Sequence, residues 1–179
     1  MIRRLPGLCL GLFCATLQPA GAEGVCDQAA AAVAAESGVP EKLMRAITRV
    51  ETGRDGGPWP WTLNIDGQAH WLPDRPAALA VAQAAVAAGA GQIDIGCFQL
   101  NLRWQGAAFP DLATMLDPMA NARQAARFLT ELRAELGDWR AAAAAYHSRR
   151  PDAGAAYLAA LEAAHNSETP GAPIVMTQA

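Results

Sequence analysis

The chain has 179 residues, with 14 Lys and Arg against 17 Asp and Glu, and 52% of its residues are hydrophobic. This length suits one ordinary domain and leaves no room for a multi-domain enzyme. Because the charge balance lacks the basic excess of nucleic-acid binders, we expect no nucleic-acid partner. Aromatic residues make up only 6% and alanine is abundant. The composition therefore favours helices packed through small side chains, a mainly α fold.

The N-terminal segment has the order of an export signal. Arg3 and Arg4 precede an apolar stretch over 8–14, and small residues follow at 20–22, where a signal peptidase would cut. We therefore predict a signal peptide at 1–22 and an exported chain. The alternatives are a buried N-terminal helix and a lipid anchor on Cys14.

Export to an oxidising compartment determines how the cysteines are interpreted. Cys26 and Cys97 are the pair that remains after the predicted signal, and in an oxidising compartment they predict a disulfide. The three histidines, His70, His147 and His165, are too scattered to complete a zinc shell with two thiolates. We therefore expect neither a metal nor a cofactor. The alternative for the cysteines is two small buried side chains that never meet.

Glycines, prolines and capping residues divide the chain into predicted helices. A first helix over 25–37 ends at Gly38, and Pro40 opens a second, which Gly53 closes. Further helices are predicted over 77–88, over 117–136, over 138–148 and from 151 through 161. After the last helix, 166–179 is predicted to be a flexible tail, which leaves 23–165 as the domain.

Two stretches between the helices are not helical in pattern. Prolines and turn residues crowd 54–76, where Asp66-Gly67 predicts a small hairpin, and 92–101 reads as a short extended or turn segment. The predicted fold is thus mainly α with a small irregular or β-hairpin segment.

Glu51 is an acidic residue in an apolar position. It extends the stripe of the second helix, which consists of Leu43, Ala46, Ile47 and Val50. Burial and the negative end of the helix dipole both disfavour the ionised form, so we expect a raised pKa. A carboxyl group that stays protonated near neutral pH can serve as a general acid in breaking a glycosidic bond. The alternative is a Glu that reaches water or pairs with Arg54.

Residues suited to binding sugars follow Glu51. Flat aromatic faces alternate with hydrogen-bonding side chains at Trp59, Trp61, Asn64, Asp66, Gln68 and Trp71. A small tryptophan core held by prolines explains the same pattern. Gln99 and Asn101 fall on one side of an extended segment, where they could bind a substrate or satisfy loop backbone.

Four motifs, in this order, resemble the soluble lytic transglycosylase family. They are Glu51-Thr52-Gly53, the segment 93–101, Asp117-Pro118 with Asn121, and Ala145-Tyr146-His147-Ser148. The resemblance covers about 26–161. More narrowly, the chain resembles the small secreted, goose-lysozyme-like branch that accompanies secretion and conjugation systems. Thr52 stands where the family commonly has Ser, and His147 where it has Asn or a small polar residue.

The resemblance implies a lysozyme-like fold and a lytic transglycosylase acting on the glycan strands of peptidoglycan. Glu51 would be the catalytic acid and base, and the product would carry a 1,6-anhydro-N-acetylmuramic acid end. The expected substrate-binding residues are Thr52, Gln99, Asn101, Tyr146, Trp61 and Asn64. We also expect a monomer in the periplasm, with an envelope secretion or conjugation apparatus as a possible partner.

Three other functions fit parts of the same sequence. A hydrolytic lysozyme would need a second carboxylate to activate water, and Asp66 and Asp94 are the candidates. A non-catalytic peptidoglycan-binding module of a secretion apparatus would use the cleft without cutting. A helical structural protein of the envelope explains the alanine-rich helices but assigns no purpose to an inward Glu51.

Overall fold

The structure, a computed structural model, describes residues 24–54 and 57–168 and is mainly α-helical with small antiparallel sheets. The predicted signal peptide at 1–22 lies outside the described residues. The helices are α1 Val25–Ser37, α2 Glu41–Thr52, α3 Arg75–Ala87, α4 Leu102–Gln105, α5 Leu112–Met115, α6 Pro118–Leu136, α7 Trp139–His147 and α8 Pro151–Glu168. Because α8 runs to Glu168, the predicted tail is helical over 166–168. The rest of that tail, 169–179, lies outside the described residues.

Local capping explains where most helices begin and end. Asp74, Asp117 and Asp138 each accept a hydrogen bond from the backbone N–H three residues further on. Gly38 and Gly137 end α1 and α6 with φ of 75° and 96°. These left-handed angles suit glycine. The predicted long helices are confirmed, although α3 begins at Arg75, before its predicted start, because Asp74 caps it.

The helices pack around one apolar core. Helix α1 contacts α2 and α6, α7 contacts α6 and α8, and α8 returns to contact α2. Leu43 and Ile47 of α2 are fully buried, as are Leu129 of α6 and Leu161 of α8. The stripe that ends at Glu51 therefore faces the core, which directs Glu51 toward the inner side of α2.

The strands form two sheets, and the first four strands directly follow α2 in sequence. Strands β1 (Gly53–Arg54) and β2 (Gly57–Pro58) pair with each other. A second sheet has the order β4-β3-β5-β6 and is antiparallel throughout. Its strands are β3 Thr62–Ile65, β4 Gln68–Trp71, β5 Ile93–Ile95 and β6 Leu100–Asn101. The predicted hairpin is confirmed between β3 and β4, where Asp66 and Gly67 have φ of 50° and 85°.

A disulfide joins Cys26 of α1 to Cys97, which follows β5. This confirms the predicted bridge. The two cysteines are 71 residues apart in sequence. Closing a loop of that length stabilises a folded chain by about 4 kcal/mol on the chain-entropy estimate. The bridge fixes the turn between β5 and β6 against the helical core.

Candidate active site

Glu51 lies in the wall of a cavity of about 750 Å³ between the four-stranded sheet and α7. Five of the residues predicted to act on a substrate line it, namely Glu51, Asn64, Gln99, Asn101 and Tyr146. Asp94, His147 and Trp104 are also in its wall. The cavity has the size of a small-ligand site and mixes amide, carboxyl and aromatic groups. Residues far apart in sequence thus meet at one concave surface.

Glu51 is held by a phenol of the last helix. The Tyr157 hydroxyl donates a hydrogen bond of 2.6 Å to Oε1 of Glu51. Tyr157 is buried, at 5% exposure, and its ring stacks on His147 with 4.6 Å between ring centroids. This contact links the end of α2 to α8 and fixes the carboxyl group at the cavity wall.

The environment of Glu51 favours its protonated form. Burial raises the pKa of Glu51 from the ordinary 4.5 to about 7, the bond from Tyr157 opposes this rise, and the nearby Asp94 charge adds to it. Arg54, the alternative partner, instead has its guanidinium 5.7 Å from the centre of the Trp59 ring. Within the described ranges, no ion pair reaches Glu51. A carboxyl group with this pKa can both give and take a proton near neutral pH.

Asp94 is the second acidic group of the cavity. It lies on β5 opposite Asn101 of β6, and the Asn101 amide donates a bond of 2.7 Å to its Oδ1. Burial raises the pKa of Asp94, while this bond and the nearby His147 oppose the rise. Asn101 also uses its side-chain oxygen to cap α4 through the Arg103 N–H. Both polar ends of Asn101 are therefore committed within the protein.

The turn that contains Gln99 is held in place by hydrogen bonds to the buried Asn121. The buried Asn121 side chain accepts from Phe98 N–H and donates to the carbonyls of Ile95 and Met115. A Cβ at Gly96 would lie 3.0 Å from the Asn121 amide, and Gly96 has φ of 79°. Glycine is therefore required at this close approach.

Gln99 reaches the cavity by a different geometry from the predicted one. Its φ is 45°, a left-handed angle, so the expected strand alternation with Asn101 is wrong. The side chains nevertheless line the same cavity, because the turn rather than a strand orients Gln99. The Gln99 amide donates to the carbonyls of Thr62 and Gly96 at 3.1 and 2.9 Å. Gln99 thus satisfies loop backbone and lines the cavity at once.

Tyr146 also braces this turn. Its hydroxyl donates a bond of 2.7 Å to the Phe98 carbonyl, and its ring packs against Phe128. Burial, with the charges of Glu51 and Asp94 nearby, raises the pKa of Tyr146 well above its ordinary value. Tyr146 is therefore a neutral hydrogen-bond donor whose proton holds the turn beside Glu51.

The other predicted residues occupy different places. Thr52 is fully buried and its hydroxyl donates to the Thr48 carbonyl inside α2, and Trp61 packs against the core. Neither is in the cavity wall. Asn64 is in the wall and its side-chain oxygen accepts from Gly67 N–H in the hairpin.

Trp59 and Asp66 make hydrogen bonds that hold the segment 59–72 and the start of β5 together. Trp59 donates to the Leu72 carbonyl at 2.7 Å, as expected of a small tryptophan core. Asp66 accepts from Gln92 N–H, which ties the hairpin to the start of β5. Asp94 and not Asp66 is thus the acidic candidate that lies in the wall with Glu51.

Two residues of the site escape the sequence analysis. Tyr157 falls in the last predicted helix and receives no role there, although a buried phenol needs a hydrogen-bond partner and that need is a usable signal. Trp104 lies in α4, a helix of one turn that follows a cavity residue. Its signal is weak, because nothing in the local pattern indicates that the side chain is exposed.

Comparison with protein-family models, with curated proteins and with solved structures finds no match. Among the described residues, no group of three or more His, Cys, Asp or Glu side chains is arranged to hold a metal ion. In the same part of the chain, no helix has the length and apolar character needed to cross a bilayer.

Proposed function

We propose that the protein is a peptidoglycan lytic transglycosylase of the lysozyme-like soluble family, exported to the periplasm. Its substrate would be the β-1,4 bond between N-acetylmuramic acid and N-acetylglucosamine. A secretion or conjugation apparatus that crosses the cell wall would be the setting in which such cleavage is needed. The enzyme would work as a monomer without a metal or cofactor.

One observation carries this proposal. Glu51 is a carboxyl group with a pKa of about 7 in the wall of a cavity large enough for sugar rings. A general acid works best when its pKa is near the operating pH, because the proton is then both present and transferable. Glycosidic oxygen is weakly basic and leaves only when it is protonated, so this is the group that glycan cleavage needs.

In the proposed reaction Glu51 acts twice. It first donates its proton to the glycosidic oxygen as the bond from C1 of the muramic acid breaks, and the acetamide oxygen of the same sugar bonds to C1. The Glu51 carboxylate then removes the proton of the C6 hydroxyl, whose oxygen bonds to C1 and displaces the acetamide. Glu51 ends protonated, and the product is a 1,6-anhydro sugar. Water takes no part.

The surrounding residues would support these steps. Tyr157 keeps the Glu51 carboxyl in one orientation, and its bond to Oε1 leaves Oε2 for proton transfer. Asn64 and Gln99 lie in the wall with amide groups of the kind that bind the acetamide and hydroxyl groups of amino sugars. The negative charge of Asp94 disfavours ionisation of Glu51, which helps to keep Glu51 protonated before the reaction.

The test is digestion of purified peptidoglycan followed by mass analysis of the fragments. Transglycosylation gives anhydro ends, each lighter by one water molecule than the reducing ends of hydrolysis. Anhydro fragments that vanish with Glu51→Gln are the expected result. If the wild-type protein leaves the glycan uncut, the protein is not this enzyme.

Hydrolysis is the second candidate, because Asp94 lies in the same cavity as Glu51. In that reaction Glu51 would again protonate the leaving oxygen, and ionised Asp94 would activate a water molecule at C1. Reducing ends in the digest, lost on Asp94→Asn, would favour it. Anhydro ends that persist in Asp94→Asn would favour transglycosylation.

A further inference from the structure

Trp104 is a large apolar side chain that the fold leaves in solvent at the cavity wall. It is 72% exposed, against 43% for Trp71, 47% for Val86 and 38% for Leu136, the other exposed large hydrophobic residues of the described chain. Single exposed apolar side chains are common on protein surfaces. The unusual feature is that this one lines the same cavity as Glu51.

The position of Trp104 is fixed by a residue of the site. Asn101 caps α4 through Arg103 N–H, and the same Asn101 side chain binds Asp94. Trp104 follows Asn101 by three residues, and both residues line the same cavity. The Asn101 side chain that binds Asp94 therefore also positions the helix that carries Trp104.

The indole has one face occupied by a cation. The Arg103 guanidinium lies 5.1 Å from the centre of the Trp104 ring. This contact restrains the ring, and the exposed fraction shows that the remaining surface is open to solvent. An oriented aromatic plane at the edge of a cavity is suited to stacking a flat ligand group.

The neighbours of Trp104 indicate what that ligand group is. Arg103 and Gln105 flank it, and Gln105 is itself in the cavity wall and accepts a bond from the Gln124 amide. An interface for an apolar protein surface would need further apolar side chains around the indole. An N-acetylhexosamine ring instead has an apolar C–H face and a polar rim, which match one indole among polar side chains.

We infer that Trp104 forms an added glycan-binding subsite, where an N-acetylhexosamine ring of the strand stacks on the indole beyond the linkage that Glu51 protonates. The inference rests on the proposed function, because it extends the same strand along the same cavity. Such a subsite holds the strand without touching the broken bond. It contributes to binding and not to the chemical step.

Binding is tested on the full chain with Glu51→Gln, so that the probe is not cut. The probe is the β-1,4 hexamer of N-acetylglucosamine, measured by titration calorimetry. Trp104→Ala is expected to raise Kd by about three- to tenfold, the range for losing an aromatic stacking contact. Trp104→Phe keeps a ring and should restore most of the affinity. Leu136→Ala, an exposed apolar truncation outside the cavity wall, is the matched control.

Kinetics on soluble glycan strands give the second readout. With Glu51 intact, Trp104→Ala should raise KM by a similar factor and leave kcat unchanged. Because Trp104 is largely exposed, its replacement should leave the melting temperature near that of the wild type. A fall in kcat with Kd unchanged would overturn the subsite, since the indole would then act at the reacting bond.

The outcomes separate this inference from the proposed function. If Trp104→Ala binds the hexamer as well as Leu136→Ala does, the subsite is wrong, while cleavage by the wild type still supports the enzyme. If the hexamer binds in a Trp104-dependent manner but the wild type cuts nothing, the subsite stands and the enzyme does not. No hexamer binding by any variant would overturn the subsite.

Discussion

Asp27 of α1 and Glu51 of α2 are both acidic residues beside the C-terminal half of α2, and the fold compensates their charges in different ways. Asp27, on α1, receives two hydrogen bonds from the Arg49 guanidinium, at 2.5 and 3.0 Å, and Arg45 lies 3.6 Å away. Glu51 comes only two residues after Arg49, yet it receives its hydrogen bond from the neutral phenol of Tyr157. One region joins two helices by an ion pair, and the other keeps a carboxyl group beside a cavity.

The difference shows what distinguishes a structural acid from a reactive one in the same helix pair. A bidentate arginine satisfies a carboxylate and makes it a fixed part of the packing. A buried carboxyl group without a cation keeps its proton to higher pH and remains available for proton transfer. Substituting one acid at a time therefore shows whether the two regions respond independently.

The largest expected effect is the loss of cleavage in Glu51→Gln. Glutamine keeps the shape of the side chain and the acceptor for Tyr157 but has no proton to give. We expect peptidoglycan cleavage to fall by about 10³-fold, within the range for removal of a general acid. Release of soluble fragments from purified cell wall measures it.

The control for this variant is Asp27→Asn, which alters an acid of similar position and should cut at the wild-type rate under conditions where it is folded. If Asp27→Asn lost activity as severely as Glu51→Gln, the contrast between the two regions would be wrong. Cleavage by Glu51→Gln at the wild-type rate would remove Glu51 from the mechanism.

The pH dependence of stability is the next largest effect. The pKa of Glu51 is about 7 in the folded chain against the ordinary 4.5, so the folded state binds this proton more tightly than the unfolded state. Its contribution to stability is therefore complete below about pH 4.5 and is lost as the pH rises through about 7. A shift of this size corresponds to about 3 kcal/mol in the free energy of unfolding.

Urea unfolding of the wild type and of Glu51→Gln at several pH values tests this. The difference between the two free energies of unfolding removes the contribution of the other carboxyl groups. The variant should gain stability relative to the wild type as the pH rises from 4.5 to 8. Cleavage by the wild type should decline above about pH 7, when Glu51 loses the proton that it donates. If the free energies of unfolding of the two proteins changed with pH in the same way, the pKa of Glu51 would not be raised in the folded chain.

The helices and the position of Glu51 could be predicted because they depend on neighbours in sequence. Asp117 and Asp138 signal helix starts from residues within one turn. Glu51 is directed inward by the stripe of its own helix. The disulfide was predictable from the cysteine count, because the predicted export signal removes Cys9 and Cys14 and the two cysteines that remain allow one pairing.

The contacts that complete the site could not be predicted in the same way. Tyr157 is 106 residues from Glu51 in sequence, and their bond exists only because α8 packs against α2. Gln99 has a left-handed backbone angle that the pattern of an extended segment does not contain. Both cases depend on tertiary packing, which overrides local preference.

The ion pair of Asp27 gives the third effect, on stability rather than on activity. Asp27→Asn leaves the partly buried Arg49 guanidinium without its carboxylate, and we expect a loss of about 2 kcal/mol, as for hydrogen bonds to charged groups. Thermal unfolding measures it. Glu36→Gln, which breaks an exposed pair with Arg123, is the matched control and should cost much less. Equal losses in the two variants would show that burial adds nothing to the Asp27 pair.

The smallest effect separates the two roles of Tyr157. Tyr157→Phe keeps the ring that stacks on His147 but removes the hydroxyl that donates to Glu51. Losing one such bond should cost about 1 kcal/mol of stability. Because this bond lowers the pKa of Glu51 against the effect of burial, the pKa should rise further in the variant.

The decline of cleavage with pH should then shift to higher pH in Tyr157→Phe. A phenol that merely filled space would leave the pH profile in place and change only the melting temperature. A shift toward lower pH would contradict this expectation, since it would mean that the hydroxyl raises the pKa of Glu51 and favours the protonated acid. Because the ring is retained, any shift reports on the hydrogen bond, which in the Asp27 region is replaced by a full positive charge.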